Sequence, residues 1–519
     1  MGHKKSKDLT ERMFLNTITS AFNYVAIVLV TFIVSPLLLS YLGTTLFGTW
    51  QFCQRLLSYV RAIDGRAPQA LKWTIAHKQA SNDFGAKRRD VGSAVVVWFI
   101  FLPLLVFAGC VISWFSPYLI NELPREHFLI VRLTCVILVL NLIILPLRSI
   151  PEAVLIGTNQ AYKCIGINPL ATVIQGGLMI WAAYTGWGIV GVAASLMCAT
   201  MVRAAMIFWV SKRNISWLGI SWPSRTEVSH FFKFSFWVFC WTFINKLMLS
   251  GDILILGLAI SAAKVASYSL TQYTMLASIN LAAMIVSSVI PGLGGIVGQK
   301  DFEKAAKVRG EIMVGSWLVI VVLGSVILLW NNSFLTLWVG KEYFIGFAEN
   351  FMMVLMMVQL VLIRNDAFII DVTLNIKQKV LLGACSTVVG LFLAYFMVRY
   401  CDLGVVGLVV GLMIGRGILT VLFPIMVNKA FHLKGRRQLV SLSRPFFTTS
   451  ILFSITVYLG MHVTATSWLY LALYVVFSAV LVLSLAFYMG FTKEQRVQIL
   501  VRLTHWSVLG RFMVRNGRS

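Results

Sequence analysis

Five basic side chains stand inside apolar stretches of this 519-residue chain: Arg55, Arg61, Lys246, Arg364 and Arg416. Wound at 100° per residue, the segment 50–71 puts Gln51, Gln54, Arg55, Ser58, Tyr59, Arg61, Gly65 and Arg66 on one arc of roughly 160°. Phe52, Cys53, Leu56, Leu57, Val60 and Ile63 fall on the other. Counted from Thr45, Arg55 lies about 15 Å along the helix axis and Arg61 about 24 Å, whereas Arg66, at about 32 Å, reaches an interface by snorkelling. A guanidinium at such depth costs about 3 kcal/mol even on lenient insertion scales, a cost that water or a bound anion offsets. Asp64 stands three residues from Arg61, which leaves two readings: an Arg61–Asp64 pair buried for packing, or a hydrated face that grips a ligand. Pro68 lacks the N–H that would bond the Asp64 carbonyl, so a kink is expected there.

Lys246, in CWTFINKLMLSGDILIL, and Arg416, in VVGLVVGLMIGRGIL, have no acid within one helical turn, so local pairing does not account for them. Arg364, in LVLIRNDAFIID, either pairs with Asp371 or flanks the inner interface. Buried cations without matching acids imply a cavity for an anion, most simply phosphate or diphosphate, whose oxygens a guanidinium fork matches bidentately. The candidate substrate-binding set is Arg55, Tyr59, Arg61, Lys246, Arg364 and Arg416. Asp252 has two readings as well. It is a proton or sodium site coupling transport to an ion gradient, or it pairs with Lys246 or Lys264. No other cofactor is implied. The eight cysteines are scattered without Cys-x-x-Cys or Cys/His spacing, so neither zinc nor a disulfide framework is expected. PGLGGIVG, 291–298, lacks the Gly-Lys-Ser/Thr of a phosphate-binding loop, and no residue set points to catalysis.

The elements that must carry these residues are membrane spans. Hydrophobic residues make up 59% of the chain and charged ones 12%, a balance that excludes a soluble multidomain protein. Apolar runs of the roughly 20 residues needed to cross a bilayer recur almost end to end. They predict fourteen helices near 14–40, 46–71, 92–115, 129–148, 165–184, 188–210, 232–260, 266–292, 311–330, 347–371, 380–400, 404–427, 445–463 and 467–489. The fold class is all-α and polytopic; barrel strands would be near 10 residues and alternate in polarity. The net charge of +25 is concentrated at the N-terminus and in every second loop, among them KQASNDFGAKRRD, KDFEKAAKVRG and NKAFHLKGRRQ. That asymmetry places both termini in the cytoplasm, and an even number of spans agrees. The basic loops then serve topology and contact with anionic lipid, not nucleic acid. The first apolar run is too long for a cleavable signal and lacks its small-residue site.

An internal repeat runs at one offset. Asn159 and Asn375, Lys163 and Lys379, Gly188 and Gly404, and Gly191 and Gly407 all stand 216 positions apart. A weaker echo sets Trp50 over Tyr268 and Gln54 over Gln272. Spans 1–6 and 7–12 therefore read as two parallel copies of a six-helix unit, with a binding region expected between them. The expected division is a cytoplasmic N-terminus 1–13, lobes 14–230 and 231–430, two further spans in 431–490 and a basic tail 491–519. Gly407, Gly411 and Gly415 form a small-residue stripe expected to pack closely on a neighbouring helix.

With these pieces placed, the chain resembles the polysaccharide-transporter, or O-antigen-type, flippases of the multidrug/oligosaccharidyl-lipid/polysaccharide (MOP) exporter superfamily. The likeness rests on Asn16, SPLLLSYLG, FGTW and IAHKQASND in the first spans, and on GDILILGLAISAAKVASYSL, FLTLWVGKEY and LNIKQK in the second half. DGRA, from Asp64, departs from the family's usual Asp-Leu-Gly-Leu, so no role comes to Arg66 by this route. The resemblance implies a V-shaped pair of six-helix lobes in the cell inner membrane. It implies movement of an isoprenoid-diphosphate-linked oligosaccharide to the outer leaflet by alternating access, for surface polysaccharide synthesis and alongside polymerase machinery, with no covalent chemistry. One rival is a drug or cation antiporter of the same superfamily; those usually carry an acid in the first span, and 14–43 has none. The other is a membrane glycosyltransferase or ligase, which would need a larger outer loop than the roughly fifteen residues expected here at 116–128 and 331–346.

Overall fold

The computed structural model describes residues 2–61, 67–78, 83–121, 123–158, 160–164, 166–298, 301–372, 376–431, 436–492 and 496, with side chains from Ala26 onward. Among the described residues the regular structure is helical and no strand occurs. The α-helices are α1 (Gly2–Val60), α2 (Ala67–His77), α3 (Phe84–Phe115), α4 (Phe128–Gly157), α5 (Ile167–Tyr184), α6 (Gly188–Asn214), α7 (Arg225–Ala259) and α8 (Ala262–Thr271). They continue as α9 (Tyr273–Gly298), α10 (Phe302–Trp338), α11 (Phe347–Val372), α12 (Ile376–Arg399), α13 (Gly404–Ala430), α14 (Arg436–His462) and α15 (Trp468–Gly490). Against the fourteen spans expected, eleven segments of this helical frame are long and apolar enough to cross a bilayer by length and composition among the described residues. Large apolar side chains such as Phe107 (67% exposed), Val388 (69%) and Phe477 (69%) face outward, as lipid allows and water does not. The chain is an all-α, multi-pass membrane protein.

Three expected spans are not single straight helices. The first two run on as α1, broken at Gly43, whose φ of 75° is left-handed and favours a residue without Cβ. The second does not continue to residue 71: α1 ends at Val60 and α2 starts at Ala67. Pro68 is the second residue of α2, and the kink expected there depends on its place relative to Asp64. Asp64, Gly65 and Arg66 lie outside the described residues. The eighth is divided at Gln272 into α8 and α9.

The chain forms two compact units. The first holds residues 1–269 and 380–412. Within it α4 packs on α2, α3 and α6, and α5 on α1 and α6. Leu71, Ile75, Val91, Val97, Val154 and Ile207 form its shared core across α2, α3, α4 and α6. Gly411 meets α12 closely: a Cβ there would stand 2.4 Å from the Ala394 nitrogen, as the small-residue stripe implied. The second unit holds 270–379 and 413–519. In it α10 is the post against which α9, α11, α14 and α15 pack. The Trp317 and Trp330 indole N–H groups donate to Thr449 (2.9 Å) and Ser478 (3.0 Å), fixing α10 to α14 and α15.

The repeat is visible in the helix bounds. α6 and α13 begin and end at the same offset of 216. Gly188 and Gly404 start them with φ of 57° and 53°. A Cβ on Gly191 would meet that of Trp187 at 2.4 Å, and one on Gly407 that of Leu403 at 2.7 Å, again the same pair of positions.

Candidate functional site

The second limb of α1 separates its faces as a helix wheel requires. Phe52, Cys53, Leu56, Leu57 and Val60 are buried, while Gln51, Gln54, Arg55 and Ser58 are half-buried. Gly257 on α7 makes room for Phe52, whose ring atom would be 2.3 Å from any Cβ there. That close approach sets the polar face of the limb beside α7. The Arg55 Nη1 donates to Ser250 Oγ at 3.3 Å. Ser250 lies one turn beyond Lys246, so the two share a face of α7, and Lys246 is half-buried. Arg55 forms no ion pair among the described residues.

Tyr59 stands one turn after Arg55 and is 7% exposed. Its hydroxyl has no hydrogen-bond partner among the described residues and lies within Coulombic reach of both Asp252 and Arg55. Asp252 is buried; its Oδ2 accepts from the Tyr268 hydroxyl at 2.8 Å and its Oδ1 from the Ile253 amide at 2.8 Å. Lys264, one of the two partners considered for Asp252, is exposed and forms no ion pair among the described residues. The first unit thus gathers a guanidinium, two phenols and a carboxylate where α1, α7 and α8 meet. Sequence reading named Arg55, Tyr59 and Asp252 and missed Ser250 and Tyr268. Tyr268 had left a signal in the weak repeat, where it falls opposite Trp50. Arg61 lies one residue past α1 and is exposed. The Arg61–Asp64 pair falls outside the described residues through Asp64.

In the second unit the basic residues have different surroundings. The Arg364 guanidinium carbon lies 5.9 Å from the Phe368 ring centroid, in cation–π range, and forms no ion pair among the described residues. Asp371, its considered partner, instead receives Lys379 Nζ at 2.6 Å, and that ammonium also donates to the Ala367 carbonyl at 3.0 Å. Arg416 is 4% exposed on α13, one turn before Thr420, whose hydroxyl caps its carbonyl at 3.1 Å. Arg309, which sequence reading missed, grips Asp366 through Nη2 (2.8 Å) and Nε (2.9 Å) and reaches Asn428 through Nη1 (3.2 Å). It ties α10 to α11 and α13 near one end of each. Arg203, also missed, donates to Asn168 at 2.8 Å in the first unit. Among the described residues no three His, Cys, Asp or Glu side chains gather as metal ligands.

Helices in this order, in two units and with cations embedded in spans, make a membrane fold that known structures share. A lipid II flippase, MurJ, in an inward closed conformation aligns over 91% of this chain and 97% of its own, with TM-score 0.66 and 14% identity. An inward-facing multidrug resistance MATE family transporter of the MOP superfamily aligns over 82% and 98%, with TM-score 0.64 and 15% identity. A MOP superfamily transporter from Pyrococcus furiosus, described as having a binding pocket of reverse polarity, aligns over 82% and 96%, with TM-score 0.57 and 15% identity. At such identities the likeness is one of fold. No curated protein matches the chain in sequence. The sequence pattern of the family described as polysaccharide biosynthesis protein matches residues 82–343, half of the chain. The chain belongs to that family.

Proposed function

We propose that the protein is a flippase that moves an isoprenoid-diphosphate-linked oligosaccharide across the cell inner membrane, with both termini in the cytoplasm, to supply surface polysaccharide synthesis. The observation that carries this reading is the state of Arg55. It is a half-buried cation five residues before the end of the span Ala26–Val60, held by a serine hydroxyl and free of any ion pair among the described residues. Such a group is costly in a bilayer unless an anion or water meets it, and a diphosphate headgroup supplies the anion. Arg364, in the second unit, is in the same condition. Membership of a polysaccharide biosynthesis family and the fold shared with a lipid II flippase support the choice of a lipid-linked saccharide over a cationic drug. The chemistry is binding and release, so no covalent catalyst is needed. A coupling ion, H+ or Na+, would act at Asp252, which accepts a hydrogen bond from Tyr268 and lies within Coulombic reach of Tyr59.

The test is transport of a fluorescent isoprenyl-diphosphate oligosaccharide by purified protein in proteoliposomes. Arg55→Ala and Arg364→Ala should insert normally and each lose about tenfold or more in rate, the worth of one charge-assisted contact. Wild-type rates in both variants would overturn the reading.

A further inference from the structure

A slot of about 370 Å³ opens between α3 and α7 in the first unit, in the volume range of small-molecule sites. One wall is Val96 and Ile100, one turn apart on α3. The other is the first two turns of α7, where Arg225, Val228, Ser229 and Phe232 share a face. Trp222 and Pro223 close one end. The walls are fixed. Phe232 stacks on Phe101 with centroids 5.6 Å apart. The Ser221 amide donates to the Arg88 carbonyl at 3.2 Å, and a Cβ on Gly92 would stand 2.0 Å from the Ser221 carbonyl oxygen, so the segment before α7 lies directly on α3.

The slot has two chemically different ends. Lys87, Arg88, Arg89 and Asp90 mark the charged start of α3, and Val96 and Ile100 follow about 9 and 15 Å beyond Asp90 along the axis. Apolar walls therefore begin where the helix passes into the bilayer. Two acids near the mouth, Glu227 and Asp90, are already engaged: Glu227 receives Arg89 at 3.0 Å and the Ser224 amide at 2.7 Å, and Asp90 receives Lys78 at 2.9 Å. Arg225 forms no ion pair among the described residues, and Ser229 stands one turn from it with a hydroxyl. Trp222, 89% exposed, is the side chain that favours a headgroup region. A guanidinium and a hydroxyl over an apolar slot complement an amphiphile with a negative head.

We propose that this slot is a site for an anionic phospholipid of the surrounding membrane. Its phosphate meets Arg225 and Ser229, and its acyl chain lies along Val96, Ile100, Val228 and Phe232. The proposal is independent of which substrate the protein carries.

The full-length protein in nanodiscs of phosphatidylcholine, with and without phosphatidylglycerol, provides the test. Retained lipid is read by native mass spectrometry, and melting temperature is read alongside. Wild type should retain phosphatidylglycerol preferentially and melt higher with it. Arg225→Gln should bind it roughly fivefold less well with phosphatidylcholine retention unchanged, the worth of one basic residue at an anionic surface. Ile100→Trp should lose the lipid whatever its headgroup. Arg225 is exposed, so its variant decides the matter if Ile100→Trp does not fold. Wild-type retention in Arg225→Gln would overturn the proposal. So would protection by soluble glycerol phosphate equal to that by the phospholipid, which would mark a simple anion site, or selective retention of an isoprenyl phosphate in place of phosphatidylglycerol.

Discussion

Arg148 on α4 and Arg364 on α11 stand at the repeat offset of 216, and the residues one turn after them, Glu152 and Phe368, stand at it too. In the first copy Arg148 Nε lies 3.2 Å from the Glu152 carboxylate. In the second the guanidinium lies over a ring. The lysines of the same repeat reverse the pattern. Lys163 donates to the neutral Gln160 amide oxygen at 2.8 Å, whereas Lys379 is held by Asp371. Each copy thus spends one carboxylate, on the arginine in α4 and on the lysine after α11. A single neighbour one turn away decides whether a span arginine is paired with a carboxylate or lies over a ring. The two copies share a backbone and differ in which cation they offer.

Exchanging those neighbours puts the comparison at risk most directly. Phe368→Glu gives Arg364 the partner that Arg148 has, and transport of the lipid-linked saccharide should fall between about tenfold and about a hundredfold, with insertion and melting unchanged. Glu152→Phe, the reciprocal change, should leave transport less affected. If Phe368→Glu transports as the wild type does, Arg364 is a structural cation and the contrast has no functional content.

The lysines sharpen it through stability. Lys379 is 1% exposed and Asp371 42%. Removing the acid with Asp371→Asn strands a buried ammonium and should cost about 3 kcal/mol, the low end for a broken buried pair. Removing the lysine with Lys379→Met leaves a carboxylate that reaches water, and the loss should stay within about 1 kcal/mol. Lys163→Met, with no acid to strand, should change little, within about 0.5 kcal/mol. Reversible unfolding in detergent measures all three, and equal costs for the Asp371 and Lys379 variants would contradict the asymmetry.

How much of this was written in the sequence differs by element. The all-α membrane class could be read because apolar length is a local property, and helical periodicity separates the buried from the half-buried residues of 51–60 except at Tyr59, which is buried on the polar arc. The second span was drawn through to Leu71 because residues 50–71, wound as one helix, keep one polar and one apolar arc despite Arg61, Asp64 and Arg66. Arg55, Tyr59 and Asp252 were each visible as polar groups in grease, yet their meeting across α1 and α7 was not, since nearly two hundred residues separate Arg55 from Ser250. Arg309 was hidden for the same reason, its acid lying 57 residues away on another helix. Arg364 was legible as a cation, but its company stayed open, since an acid seven residues on is one of two plausible readings until the fold gives that acid to Lys379.

The smallest expected effects test whether the two copies are the same device at the backbone. Gly188 and Gly404 both hold left-handed φ at the start of their helices, and nothing lies within 4 Å of a Cβ added to either. Sterics with neighbours are therefore absent, and an alanine at either site meets only the intrinsic cost of the left-handed region, about 1–2 kcal/mol. Gly188→Ala and Gly404→Ala should lower stability by equal amounts, and asparagine, which tolerates that region, should recover part of the loss at both. Unequal losses would mean that the turns, although superposable in φ, carry different loads, and the copies would then differ in backbone as well as in charge.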